Sequence, residues 1–250
     1  MDQAMEAEFD TVAGWTADVA LDLGERYHIP AGCRGSGSPA VLTWLIDALG
    51  LSTDDRMLDC GAGVGGPAAF VAERVGVRPV LTDPEFGACR SAGRLFGLTA
   101  LQAGSDLPLA PGSFDVAWSL GVLCTVPDQL HLLTELRRVI RRDGRLGLLV
   151  FVRTQESLPE QPKGNNFPTA EHLDRLLDAS GWTVSSRRPA ADLPAADADW
   201  QELADAVDAE LDRRHGDDPV WRTAAEQSAI IGELLASGRV AGELVIATPR

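Results

Sequence analysis

In residues 56–70, RMLDCGAGVGGPAAF, an apolar run ends in Asp59, and Gly61, Gly63, Gly65 and Gly66 fall within the next seven positions. A small-residue stretch of helical character follows. A strand, a glycine turn and a helix in that order form half of a βαβ unit. Such a start commits the chain to a parallel partner strand and a layered α/β fold. Glycines are needed there because only they take left-handed backbone freely and leave room for a ligand against the main chain. The ligand class stays open at this point. Gly61-x-Gly63-x-x-Gly66 satisfies a dinucleotide pattern, and Asp59-x-Gly61-x-Gly63-x-Gly65 satisfies another, with a carboxylate ahead of the glycines. A phosphate loop requires a lysine after the glycines, and GGPA supplies none. Asp59 reads either as a strand-end cap or as an anchor for a cationic ligand group, an ammonium or a sulfonium.

The following sequence continues the alternation. RPVLTD reads as a second strand, TALQAG as a third, SFDVAWSLG as a fourth and RLGLLVFV as a fifth. PEFGACRSAGRLFG and PDQLHLLTELRRVIRRDG supply helices between them. The unbroken apolar character of RLGLLVFV implies a strand covered on both faces. TAEHLDRLLDASG is an amphipathic helix capped by Thr169, WTVSSRR a sixth strand, and GELVIATP a returning strand. Outside this core, residues 5–24 show helical spacing through Phe9, Val12, Trp15, Val19 and Leu23. ERYHIPAGCRGSGSP reads as a loop, AVLTWLIDALG as a short helix opened by Ser38 and Pro39, and 199–214 and 218–237 as two more helices. The expected organisation is an N-terminal helical cap over 1–50 and a core over 51–250, with a helical insertion at about 195–237.

A formal net charge of −15 repels a phosphate backbone, which argues against nucleic acid as partner. The four cysteines, Cys33, Cys60, Cys89 and Cys124, form no C-x-x-C pair, so neither a disulfide framework nor a metal site is expected. The first residues show no basic, apolar signal pattern and no run approaches a membrane span, which points to the cytoplasm. Lys163 is the single lysine beside many arginines, Ala, Gly and Asp, a bias that suggests a GC-rich, actinomycete-like bacterial source.

Asp83 ends the second strand, where a carboxylate can accept hydrogen bonds from ribose hydroxyls; before Pro84 it also reads as a turn residue. The ordered set LDCGAGVGG, LTDP, DLPLAPGSFDVAWSLGVLCTVPD and LRRVIRRDGRLGLLV resembles the class I S-adenosylmethionine-dependent methyltransferases, in their small-molecule, natural-product subgroup. The likeness covers roughly residues 40–190. It implies a doubly wound, Rossmann-like, seven-stranded, mostly parallel sheet whose last strand is antiparallel. It further implies S-adenosylmethionine as cofactor and S-adenosylhomocysteine as product. Gly61 and Gly63 would then let backbone approach the methionine part, Asp59 would favour its positive end, and Asp83 would hold the ribose with Pro84 packing nearby. Ser105 and Asp106 would lie at the adenine, although the Asp-Ala step of many relatives is replaced here by Ala103-Gly104. Ser119 or Leu120 would offer a carbonyl to the ammonium.

The acceptor side is less constrained. Many relatives carry a histidine just after strand four, where this chain has Leu123-Cys124-Thr125. Any general base must come from elsewhere, and Tyr27 with His28 are the candidates. Cys124 is either a small buried residue or, with Trp15, part of the acceptor lining. His131 and His172 read as solvated or packing residues on helices, and His215 as exposed in a polar turn. The expected activity is methyl transfer to an O, N or C atom of a small molecule in secondary metabolism, by a monomer or homodimer. Two alternatives stand beside it: a cofactor-binding protein that does not methylate (a cyclase or a binding subunit), and an NAD(P)-dependent oxidoreductase.

Overall fold

The computed structural model describes the backbone of residues 3–250 and the side chains of residues 9–250. In chain order its elements are α1 (Gln3–Leu23), a 3-10 turn at Glu25–Tyr27, α2 (His28–Gly32), α3 (Pro39–Leu49), β1 (Met57–Cys60), α4 (Gly66–Val75), β2 (Val80–Asp83), α5 (Phe86–Phe96) and β3 (Ala100–Gln102). Then come β4 (Phe114–Leu120), a 3-10 turn at Leu123–Thr125, α6 (Gln129–Val139), β5 (Ile140–Arg153), α7 (Ala170–Ala179), β6 (Trp182–Pro189), α8 (Ala198–His215), α9 (Pro219–Ala236) and β7 (Val240–Pro249). The strands form one sheet in the order β3-β2-β1-β4-β5-β7-β6, and β7 runs antiparallel to both of its neighbours. The doubly wound, mostly parallel sheet with an antiparallel last strand is therefore as expected.

Side-chain alternation along the strands feeds two cores. Leu58, Ala117, Leu146 and Leu148 face α6 and α7, meeting Leu133, Leu136, Leu173 and Leu177. Met57, Val116, Trp118 and Leu120 face α3, meeting Leu42, Leu45 and Leu49. A period of two with apolar residues on both faces is what a sandwiched parallel sheet requires. Helix ends follow local chemistry. Ser38 accepts a hydrogen bond from Val41 N (3.4 Å) at the start of α3, and Gly50 closes it in left-handed backbone.

Two expectations change. The 25–38 stretch is not all loop, since it contains the 3-10 turn and α2. The helix before β5 stops at Val139 instead of running on through Arg142. There Ile140 pairs with Phe114, and the Arg141 guanidinium forms an ion pair with Asp115 of β4. These tertiary partners, with the strand preference of β-branched Ile140, end the helix there.

A third cluster makes the cover. Ala17, Val19 and Ala20 of α1, Ala31 of α2, Val207 and Leu211 of α8 and Trp221 of α9 pack together and reach Val64, next to the glycine turn. α1 also lies along α5, where Gly87 N donates to Asp10 Oδ1 (2.5 Å), Ser91 Oγ donates to Ala13 O (3.1 Å) and Arg94 pairs with Asp18. α2 descends onto α4 through glycine on both sides: a methyl on Gly66 would stand 2.2 Å from the Gly32 carbonyl carbon and 2.5 Å from Cys33 N. Gly66→Ala is expected to cost about 1–3 kcal/mol through this backbone overlap. At about 2–4 °C per kcal/mol, thermal denaturation would show it as a drop of several degrees in Tm. An unchanged Tm would mean that the strap from α2 does not rest on α4.

Candidate functional site

Gly61 N and Ala62 N both donate to Thr82 O, at 2.8 and 3.0 Å, so the turn after β1 is pinned across the end of β2. Gly61, Gly63 and Gly65 all have positive φ, which glycine alone adopts without strain. At Gly61 a methyl would collide with Val122 at 2.3 Å, whereas at Gly63 nothing lies within 4 Å of that position. The turn thus has one packed wall and one open one.

Two carboxylates stand beneath it. Asp83 Oδ2 accepts from Gly63 N (2.8 Å) and Oδ1 accepts from Glu85 N (3.0 Å). Each oxygen keeps a further lone pair. Burial raises the Asp83 pKa, and the two backbone N–H groups offset part of that rise. Asp59 is 2% exposed and its Oδ2 has no hydrogen-bond partner. Desolvation pushes its pKa up to about 7; the Trp118 indole beside it offsets part of this, and the Asp83 charge adds to it. The Trp118 N–H itself stops short of hydrogen-bond geometry. A buried, partly orphaned acid next to a second acid calls for a cation or for hydrogen-bond donors.

Around these groups, Ser119 Oγ donates to Cys60 O (2.9 Å), so its hydroxyl is a strut between β4 and β1. Leu120 packs in the apolar layer under α3. Ala103 N donates to Asp83 O (2.9 Å), which brings Gly104, Ser105 and Asp106 out beside the end of β2. Pro84 O accepts from Gln102 Nε2 (3.0 Å) at the same edge. Asp106 is held by His131, with Oδ1 and Nε2 2.8 Å apart. His131 therefore has a partner in the loop after β3 that a helix-surface reading did not supply; the two are 25 residues apart and no local pattern joins them.

The acceptor candidates are spread over the cover. Trp15 stacks on His215 with ring centroids 3.9 Å apart and 6° between planes. That corrects His215, which is half-buried rather than exposed. His28 meets Phe96 edge-on at 6.2 Å, and Tyr27 joins the α1–α8 cluster with Arg26 over its ring. Gly32 and Cys33 of this segment pack instead against Gly66, at the end of the glycine turn. Cys33 is buried there, and burial together with the Asp59 charge drives its thiol pKa far up. The run GCRGSG was the available signal, since glycines on both sides of a residue permit close backbone approach. Cys124 is buried among Phe167, Leu234 and Val240; its thiol donates to Gly121 O (3.4 Å), and burial pushes its pKa up to about 12. A cavity of about 550 Å³ opens beyond β5, with Arg153, Glu160 and Phe167 in its lining. No helix among the described residues is long and apolar enough to cross a membrane.

Comparison with known proteins agrees with this geometry. Residues 58–148 match the family model described as a methyltransferase domain, a span that holds the glycine turn, both carboxylates and β4. The chain is 31% identical over 116 residues to the methyltransferase GfsG of Streptomyces halstedii, covering 43% of this chain and 42% of that one. It is 28% identical over 183 residues to a sarcosine/dimethylglycine N-methyltransferase of Halorhodospira halochloris, covering 67% and 63%. The chain thus spans less than two thirds of the length of either relative. Among solved structures, the [4+2]-cyclase SpnF superposes with a TM-score of 0.67 at 19% identity, covering 84% of this chain and 80% of the other, and shows the shared fold. In its sheet order, its glycine turn and the methyltransferase-domain match over residues 58–148, the chain is similar to the class I S-adenosylmethionine-dependent methyltransferases.

Proposed function

We propose that the chain transfers a methyl group from S-adenosylmethionine to an oxygen, nitrogen or carbon atom of a small molecule in secondary metabolism. The observation that carries this reading is the pair of buried carboxylates at an open glycine turn, with Asp59 Oδ2 lacking a partner. A dinucleotide pyrophosphate would bring negative charge toward these acids, so an oxidoreductase reading is disfavoured. A ligand with an ammonium, a sulfonium and a ribose fits them.

In this reading Asp59 faces the positive end, and the Gly61 and Gly63 backbone lies along the methionine part. Asp83 uses its spare lone pairs on the ribose hydroxyls, beside Pro84. Ser105 or Asp106 meets the adenine, and Ser119 or Leu120 offers a carbonyl to the ammonium. When bound, S-adenosylmethionine supplies a methyl group already activated by the sulfonium charge. The chain has to orient an acceptor behind that methyl and exclude water, and orientation alone is worth roughly 7–11 kcal/mol in favourable cases. The cover over 1–50 and 195–237 closes the site, with Trp15 and Cys124 on the acceptor side and Tyr27 with His28 as the base for a protonated acceptor. The open pocket beyond β5 shares Phe167 with the surroundings of Cys124. The relatives named above support a small acceptor, and the net charge of −15 disfavours nucleic acid. A cytoplasmic monomer or homodimer completes the reading.

A second reading, cofactor binding without methylation, draws on one observation. The position after β4 holds Cys124, buried with its thiol pKa pushed up, where a histidine base would stand. Isothermal calorimetry with S-adenosylmethionine and S-adenosylhomocysteine tests the common part, and absence of binding at sub-millimolar concentration would overturn both readings. Mass spectrometry of small-molecule panels then separates them, because only the first yields products heavier by one methylene.

A further inference from the structure

The strap formed by the last residue of α2 and the segment leading to α3, residues 32–38, touches both walls of the cofactor cleft. Its Gly32 backbone rests on Gly66 at the start of α4. Its Gly35 carbonyl rests on Gly121 just past β4, where a methyl would lie 2.6 Å from that oxygen. Between them, buried Cys33 feels the Asp59 charge. A ligand lying along the glycine turn toward the end of β4 therefore has the strap as its roof.

The one charged side chain in the strap points the other way. Arg34 Nε lies 3.0 Å from Asp208 Oδ1 on α8. The Arg34 guanidinium also sits over the Trp221 ring of α9, 5.7 Å from its centroid. Trp221 is itself held by α8, its Nε1 donating to Asp212 Oδ1 (3.0 Å). Asp208 faces Asp205 as well as Arg34; burial and Asp205 raise its pKa, and Arg34 lowers it. One residue thus joins the roof of the cleft to both helices of the insertion.

We propose that Arg34 is a positioning residue that couples occupation of the glycine turn to closure of the α8–α9 cover, an inference that rests on the cofactor reading above. A partly exposed ion pair and a cation–π contact together change an equilibrium by about 5- to 10-fold. A link of that size favours the closed cover once the strap is seated and releases it when the strap lifts. A stronger link would lock the cover, and the acceptor could not enter.

The test is hydrogen exchange read by mass spectrometry over residues 198–236, with and without saturating S-adenosylhomocysteine. Its variants are Arg34→Ala, Arg34→Lys and Asp208→Asn, and affinity is measured separately by calorimetry. In the wild-type chain the ligand is expected to slow exchange in this segment by about 5- to 10-fold. Arg34→Ala is expected to lose that slowing and to bind S-adenosylhomocysteine about 5- to 10-fold more weakly. Arg34→Lys, which keeps the charge, restores part of both, a rescue that a merely space-filling role would not show. Should Arg34→Ala fail to fold, Asp208→Asn carries the test from the other side with the strap unchanged. Ligand binding without slowed exchange in the wild type overturns the coupling, as does an Arg34→Ala protein with wild-type slowing and affinity. Absence of S-adenosylhomocysteine binding to the wild type is a different outcome, which removes the cofactor reading and the coupling with it.

Discussion

Replacing Asp83 with alanine is expected to weaken S-adenosylhomocysteine binding by about 100-fold or more, since hydrogen bonds to a charged group contribute about 1.5–3 kcal/mol each. The effect has two sources. In the proposed reading the carboxylate would offer two spare acceptor positions to the ribose, and it also holds Gly63 N and Glu85 N in place. Losing it therefore removes ligand contacts and leaves two backbone donors at the turn without their acceptor. Asp83→Asn helps to separate the two, because the amide keeps one oxygen acceptor. Its loss is expected to fall between that of alanine and the wild type. Calorimetry on folded protein reads this directly, and unchanged affinity in Asp83→Ala would refute the ribose assignment.

The second large effect is in pH. Asp59 has a pKa of about 7 in the folded chain, raised from 3.8 by burial. The folded state therefore binds more protons than the unfolded state between these values. Stability contributed by this group is present at low pH and is lost as pH rises from about 4 to 7, the direction for an acid whose pKa is raised. A cationic ligand reverses the preference by favouring the carboxylate. Binding should then release a proton below pH 7 and be about tenfold tighter at pH 8 than at pH 6. Asp59→Asn should remove both the proton release and this pH dependence, and bind more weakly at pH 8. Calorimetry in buffers of different ionisation enthalpy counts the proton, and a zero count at pH 6 would show that Asp59 does not meet the cation.

What was legible in the sequence was what local pattern determines. The apolar runs at 57–60 and 146–152, the glycines after Asp59 and the placement of Asp83 follow from short-range chemistry, and the fold gathers them at one end of the sheet. The misses are contacts between distant segments. Ile140, Arg141 and Arg142 follow the helical run without a breaker and are strand because they pair with Phe114 and Asp115. His215 looks exposed in RRHGDD until Trp15, two hundred residues earlier, stacks on it. Tyr27 and His28 read as polar aromatics in a loop. The neighbours of the glycine turn are instead Gly32 and Cys33, whose role depends on close approach and not on reactive groups.

The sheet order carries a consequence for biosynthesis. β7 lies between β5 and β6, yet follows both in the chain. β6 therefore leaves the ribosome before the strand it pairs with, and one side of β5 waits as well. The cover is delayed in the same way: Asp22 meets Arg214 across a sequence separation of 192. The two strand pairings made by β7 and the α8–α9 part of the cover must assemble after most of the chain has emerged. Long-range pairings of this kind fold slowly and expose apolar surface meanwhile. A nascent chain that has reached β6 can hold the glycine turn and its carboxylates in their β1–β4 setting, while α8 and α9 of the cover have yet to emerge.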